Sequence, residues 1–210
     1  MTKVMPIVVG ELDTNCYLVY SEQSENALVV DPGGDYDKIV DCANQLNKKI
    51  KAVLLTHAHF DHTLEVHKFK ANGASVYMHK TECEVLNSSA NLSAYFGVEL
   101  KPFIVDNQLI AGLFDIFGYS VQVIETPGHT KGSVCFIIED YLFSGDTLFA
   151  GSFGRIDFPT GNGKQLLESI KSLYALKGDY ILLSGHGEAS TLNYERKNNP
   201  AVDYLGKIYG

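Results

Sequence analysis

At 210 residues, with 45% hydrophobic and 20% charged residues, the chain can bury one large core and has a folded rather than a disordered composition. Acidic residues outnumber basic ones 25 to 17, for a formal net charge of −8, and no basic run exceeds two residues, which argues against nucleic acid as a partner. No apolar stretch nears the roughly 20 residues of a bilayer span, and the N-terminus lacks a signal-peptide core, so a cytoplasmic protein with no membrane contact is expected.

The expected organisation is one domain over 1–210, since no linker, low-complexity tract or clear repeat interrupts the chain. Cys16, Cys42, Cys83 and Cys135 are too scattered for a disulfide framework or a CxxC motif, and are read as reduced and mostly buried.

Residues 15–20 and 27–31, rich in branched and aromatic side chains, predict a hairpin joined through a polar turn at 21–26. Pro32-Gly33-Gly34 ends it, and Asp35 is then placed to cap a helix running to about Asn47, with Tyr36, Ile39, Val40, Ala43 and Leu46 on its apolar face. Residues 51–56 (KAVLLT) read as a buried strand that leads straight into THAHFDHTLEV. A helix over 63–71, a stop at Asn72-Gly73 and a strand at 75–79 follow. Residues 82–87 look helical, whereas 91–108 lack a period and are expected to form a substrate-facing loop. Further strands are predicted at 114–117, 121–125, 134–138 and 141–144, then a helix at 164–174 and a last strand at 180–184. The order predicts an α/β or α+β protein with two mixed sheets packed together and helices outside.

His57, His59, Asp61 and His62 place four metal-binding groups within six residues, a string expected by accident about once in two thousand such chains. In an extended segment His57 and His59 project to the same side, so two nitrogens can converge on one ion before the chain turns. Four crowded donors cannot all reach that ion. Three distant residues occupy equivalent settings, each just past a predicted strand and directly after a glycine that lets the backbone turn: His129, Asp146 and His186. His67, inside a predicted helix, and His79, without a glycine turn, are left outside the ligand set.

The motifs THAHFDH, TPGHT, SGDTLF and SGHG resemble those of the metallo-β-lactamase superfamily. Within it, TNCYLV at 14–19, VVDPGGD at 29–35, GDTLFAGSFGRIDFP at 145–159 and the ending SGHGEASTLNYERKNNP look most like the small glyoxalase II-like (hydroxyacylglutathione hydrolase-like) hydrolases. The resemblance implies an αβ/βα sandwich with two divalent metal ions at one edge, zinc foremost and iron or manganese also acceptable. It assigns His57, His59 and His129 to the first ion, Asp61, His62 and His186 to the second, and Asp146 to both. It also implies hydrolysis of a small anionic thioester or ester by a hydroxide shared between the ions, with Asp61 orienting the nucleophile.

Asp31, in the DPGG turn, is either a turn former or a residue that orients a ligand histidine from behind. In longer glyoxalase II enzymes a basic residue after the GDTLF segment and a C-terminal helical domain hold glutathione. Here Arg155 stands in that loop, as a substrate contact or as the partner of Asp157, and a counterpart of the helical domain is not expected. The competing reading is an iron-dependent persulfide dioxygenase using His57, His129 and Asp146 alone. A non-enzymatic metal module fits less well, because seven donors with two aspartates leave positions open to water. Oligomeric state is not legible.

Overall fold

The computed structural model describes residues 1–209, with side-chain surroundings through residue 205. The chain opens with β1 (Thr2–Val9), which the sequence pattern did not announce: Lys3 and Pro6 interrupt its apolar residues. A proline is tolerated there because β1 is an edge strand, paired only with β2 (Thr14–Ser21). β3 (Asn26–Val30) closes the expected hairpin.

Next come α1 (Tyr36–Gln45), β4 (Lys49–Leu55), α2 (Phe60–Thr63), α3 (Val66–Ala71), β5 (Ser75–His79), α4 (Glu82–Leu86), a 3-10 turn at Ser89–Asn91 and β6 (Asn107–Leu109). The second half holds β7 (Gly112–Ile116), β8 (Tyr119–Glu125), β9 (Val134–Ile138), β10 (Tyr141–Gly145) and a small hairpin of β11 (Leu148–Phe149) and β12 (Ser152–Phe153). It ends with α5 (Gly163–Tyr174), β13 (Ile181–Ser184), β14 (Ser190–Thr191), α6 (Leu192–Asn198) and α7 (Ala201–Tyr209).

The strands form two six-stranded mixed sheets, ordered β1-β2-β3-β4-β5-β6 and β14-β13-β10-β9-β8-β7. Because side chains alternate along a strand, each sheet feeds two cores. Tyr17, Val19, Leu28, Val30, Ala52 and Leu54 of the first sheet meet Val121, Val134, Phe136 and Phe143 of the second between the sheets. Their neighbours Cys16, Leu18, Ala27, Val29, Val53 and Leu55 face the other way, onto Ile39 of α1 and Val66 and Phe69 of α3. Cys135, Ile137 and Leu142 likewise pack outward onto Leu166, Ile170 and Leu173 of α5. This four-layer arrangement is the αβ/βα sandwich that the resemblance implies, and it explains why β9 throughout and β3 beyond Asn26 are uninterruptedly apolar.

Several local expectations need correction. Asp35 does not cap α1 with its side chain; it sits in the left-handed region at φ 50°, and its carboxylate accepts from Gly10 N at 3.0 Å. The helix expected over 63–71 is broken at Leu64-Glu65, where Glu65 N donates to Pro32 O at 3.1 Å and fixes the DPGG turn against the histidine segment. The strand at Ile181–Ser184 is not the last, since β14 pairs antiparallel with it. The 91–108 segment is only partly a cavity wall: Leu92 and Phe96 face the site, but Phe103 and Val105 pack on the core and residues 107–109 form β6. All four cysteines are free, Cys16 and Cys135 buried and Cys42 and Cys83 partly so. Among the described residues no helix is long and apolar enough to cross a membrane.

Candidate metal centre

The segments after β3, β4, β8, β10 and β13 all emerge at one edge of the sandwich, where backbone groups no longer engaged in the sheets stitch the halves together. Val134 N donates to Thr56 O at 2.9 Å, Asn15 N to Gly185 O at 2.7 Å, and Tyr17 OH to Ser184 O at 2.6 Å. All seven predicted donors meet there.

His57 Nε2 and His129 Nε2 lie 3.1 and 3.0 Å from His59 Nδ1. Beside them, Asp61 Oδ2 lies 3.6 Å from His62 Nε2 and 3.3 Å from His186 Nε2. Asp146 faces both groups, with Oδ1 at 3.5 Å from His62 Nε2 and Oδ2 at 3.5 Å from His129 Nε2 and 3.8 Å from His186 Nε2. His57, His59, His62 and His129 are buried, and His186 is partly open.

The opposite ring nitrogens determine which lone pairs point inward, because a nitrogen that donates a hydrogen leaves its partner bare. His129 Nδ1 donates to Arg155 O at 2.8 Å, and His186 Nδ1 donates to Leu12 O at 3.1 Å. His62 Nδ1 donates to Asp31 Oδ2 at 3.0 Å. Thr56 Oγ1 gives its own hydrogen to Asp31 Oδ2 at 2.6 Å and so accepts from His57 Nδ1 at 3.1 Å. The bare nitrogens of His57 and His129 thus both point at His59 Nδ1. His62 Nε2 and Asp146 Oδ1 are buried and have no hydrogen-bond partner. With metal–nitrogen bonds of about 2.1 Å, donors around one ion sit roughly 3–3.5 Å apart, so divalent cations fit what these atoms lack.

Electrostatics follow from the same packing. Burial, reinforced by neighbouring imidazoles, pushes the pKa of His57 and His59 well below the usual histidine value. Burial would also lower that of His62, but Asp61, Asp146 and Asp31 outweigh it and hold it at about 10. Burial opposes ionisation of Asp61, yet His62 and His186 pull its pKa below the usual carboxylate range. Burial disfavours the charged His186, and Asp61 and Asp146 raise it nonetheless.

The glycine expectation holds for two reasons. Gly128 and Gly145 have positive φ, 141° and 49°. Gly185 is needed for close approach, since a Cβ there would lie 2.2 Å from Asp146 Oδ1 and 2.7 Å from His62 Cε1.

A cavity of about 500 Å³ opens over the centre, lined by Asp61, Asp146, His129 and His186 below and by Phe96, Phe149, Phe153 and Phe158 on its walls. Arg155 reaches this cavity, pairs with Asp157 through Nε and Nη2 at 2.7 Å each, and lies 3.8 Å over the Phe158 ring. His79 instead bonds Glu125 at 3.0 Å, and His67 bonds Leu64 O at 3.0 Å. Sequence reasoning missed Thr56 and the aromatic walls. Thr56 borders the motif and was a legible candidate, as were Phe149, Phe153 and Phe158 of the GDTLFAGSFGRIDFP segment, whereas Phe96 comes from the distant 91–108 segment.

Residues 9–186 match the metallo-beta-lactamase superfamily, and the chain belongs to it. It is 32% identical to hydroxyacylglutathione hydrolase GloC of Haemophilus influenzae, over 94% of this chain and 96% of that protein. Among solved structures it is similar to the B3 metallo-beta-lactamase BLEG-1, with a TM-score of 0.88, 35% identity, and coverage of 95% of this chain and 98% of that one. TTHA1623, solved in a di-iron-bound form, superposes with a TM-score of 0.83 at 34% identity, covering 94% of this chain and 99% of its own.

Proposed function

We propose that this chain is a metal-dependent hydrolase that cleaves a small thioester or related ester, with S-lactoylglutathione-like compounds as the substrate class. The observation that carries this reading is the pair of adjacent donor sets, with Asp146 facing both, at the floor of an open cavity. His57, His59 and His129 would hold one ion, Asp61, His62 and His186 a second, and Asp146 both. Imidazole and carboxylate accept zinc, iron or manganese; zinc is the assignment made here, and the di-iron form of TTHA1623 makes iron its direct competitor. When bound, the ions supply Lewis acidity, making water nucleophilic near neutral pH and polarising the substrate carbonyl.

The chain's own residues do the rest. Asp61 opens onto the cavity, accepts from Thr14 Oγ1 at 3.4 Å, and is placed to accept a hydrogen bond from the attacking water and aim it. Leu12, Phe149 and Phe158 restrict the water around the reacting carbonyl. Arg155 supplies a cation at the mouth for an anionic substrate. A thiolate leaves without help from a proton donor, so no further acid is required. The name of the Haemophilus relative supports the glutathione-thioester class.

The mononuclear iron reading employs only His57, His129 and Asp146 and leaves the Asp61, His62 and His186 set without a task, which favours two ions. The test is metal analysis of protein purified without added salts, with thioester turnover before chelation, after it, and after reconstitution with single metals. Two ions per chain and turnover restored by metal are expected; one iron per chain with oxygen uptake on a persulfide overturns the assignment.

A further inference from the structure

Glu82 opens α4 and is fully buried, an unusual place for a carboxylate. Both of its oxygens are occupied. Oε2 accepts from Ala58 N at 2.8 Å, while Oε1 accepts from Gly132 N and from Thr130 Oγ1, each at 2.8 Å. Lys131, next in the chain, pairs with Glu84 instead. Ala58 stands between His57 and His59, and Thr130 directly follows His129. One carboxylate therefore bridges the segment bearing two histidines of the first donor set and the segment bearing the third.

Burial raises the Glu82 pKa above the usual glutamate value, and the bonds from Thr130, Ala58 and Gly132 oppose that rise without cancelling it. Gly132 fits only because it lacks a side chain: a Cβ there would lie 2.9 Å from Glu82 N and 3.0 Å from Glu82 Oε1. Metal sites tolerate donor displacements of only a few tenths of an ångström, so the distance between these segments matters to the ion they share.

We propose that Glu82 is a positioning residue, which sets the separation of His129 from His57 and His59 by clamping Ala58 to Thr130 and Gly132, and thereby sets metal affinity at the three-histidine position. The proposal rests on the reading that these histidines hold an ion. An amide cannot substitute, because three donors converge on two oxygens and glutamine would turn its NH₂ against one of them.

The test is titration of the metal-free protein with Co²⁺, following ligand-field absorption and competition with a chelator, for wild type, Glu82→Gln, Thr130→Val and His129→Ala. Far-UV circular dichroism and the metal-free Tm are measured alongside. Glu82→Gln is expected to bind the first equivalent at least about tenfold more weakly with shifted bands, and Thr130→Val to lose less in the same direction. Wild-type affinity and spectrum in folded Glu82→Gln overturn the proposal, as does a lowered Tm with unaltered binding by the folded protein. Should Glu82→Gln fail to fold, Thr130→Val decides, and unchanged binding there overturns it. If His129→Ala titrates like wild type, the three-histidine reading itself falls, a signature distinct from failure of the clamp.

Discussion

Asp31 Oδ2 lies 3.0 Å from Nδ1 of His62, and the same oxygen accepts from Thr56 Oγ1, which in turn accepts from His57. One buried carboxylate thus orients a histidine of each donor set. Asp31 also shapes the turn, with φ 51°. Asparagine tolerates this left-handed conformation and keeps the size of the side chain, but it loses charge and acceptor capacity. Asp31→Asn is expected to remain folded and to lose about 10- to 100-fold in metal affinity, measured by chelator competition. Native affinity in this variant would remove Asp31 from the site.

Gly185→Ala changes no donor, yet its methyl would overlap Asp146 Oδ1 and crowd His62. The expected result is loss of one ion per chain and of most turnover, with the first sheet and its helices intact by circular dichroism. Retention of two ions with wild-type rates would show that the edge relaxes more readily than its packing implies.

Protons and metal compete at His62. In the metal-free protein its pKa of about 10 means that an ion must displace a proton, so uptake at the second position should release one and weaken about tenfold per unit fall in pH below that value. Proton release measured in weak buffer during titration checks this.

Stability of the metal-free protein follows from the same groups. His62, raised from 6.5 to about 10, contributes stability that is present below pH 6.5 and lost as pH climbs towards 10. His57 and His59 are displaced in the opposite direction, so their contribution is present above pH 6.5 and lost as pH falls below it. The urea midpoint of metal-free protein should therefore peak near pH 6.5. A midpoint rising steadily from pH 6 to 9 would contradict the charge arrangement described here.

Arg155 separates stability from substrate binding. Its ion pair with Asp157 is largely exposed, with side chains 55% and 64% accessible, so Arg155→Ala should cost less than about 1 kcal/mol of stability. A substrate role predicts a raised KM for glutathione thioesters with kcat nearly unchanged. An unaltered KM would confine Arg155 to packing on Phe158, while its backbone carbonyl still holds His129.

Much of this was legible from the chain alone because local order carries it. The apolar run at 51–56 predicted a buried strand, those at β3 and β9 predicted strands, the spacing of Leu166, Ile170 and Leu173 predicted α5, and THAHFDH placed four candidate metal donors within six residues. His129, Asp146 and His186 were found by asking which donors follow a strand and a glycine, a question that requires no coordinates. β1 escaped because an edge strand needs no continuous apolar pattern, and the break after Thr63 escaped because it is made by Pro32 O, thirty-odd residues away in sequence.

The amino-acid order by itself singled out the candidate donors and the strands that carry them, since ligand type and hydrophobic period are properties of neighbouring residues. Only the tertiary structure decided which group stands behind each ring, which ring nitrogen faces inward, and what lies over the cavity. Each of these depends on groups brought together from separate strand ends, such as Asp31 behind His62 or Arg155 O behind His129, and no local pattern encodes distances across two sheets.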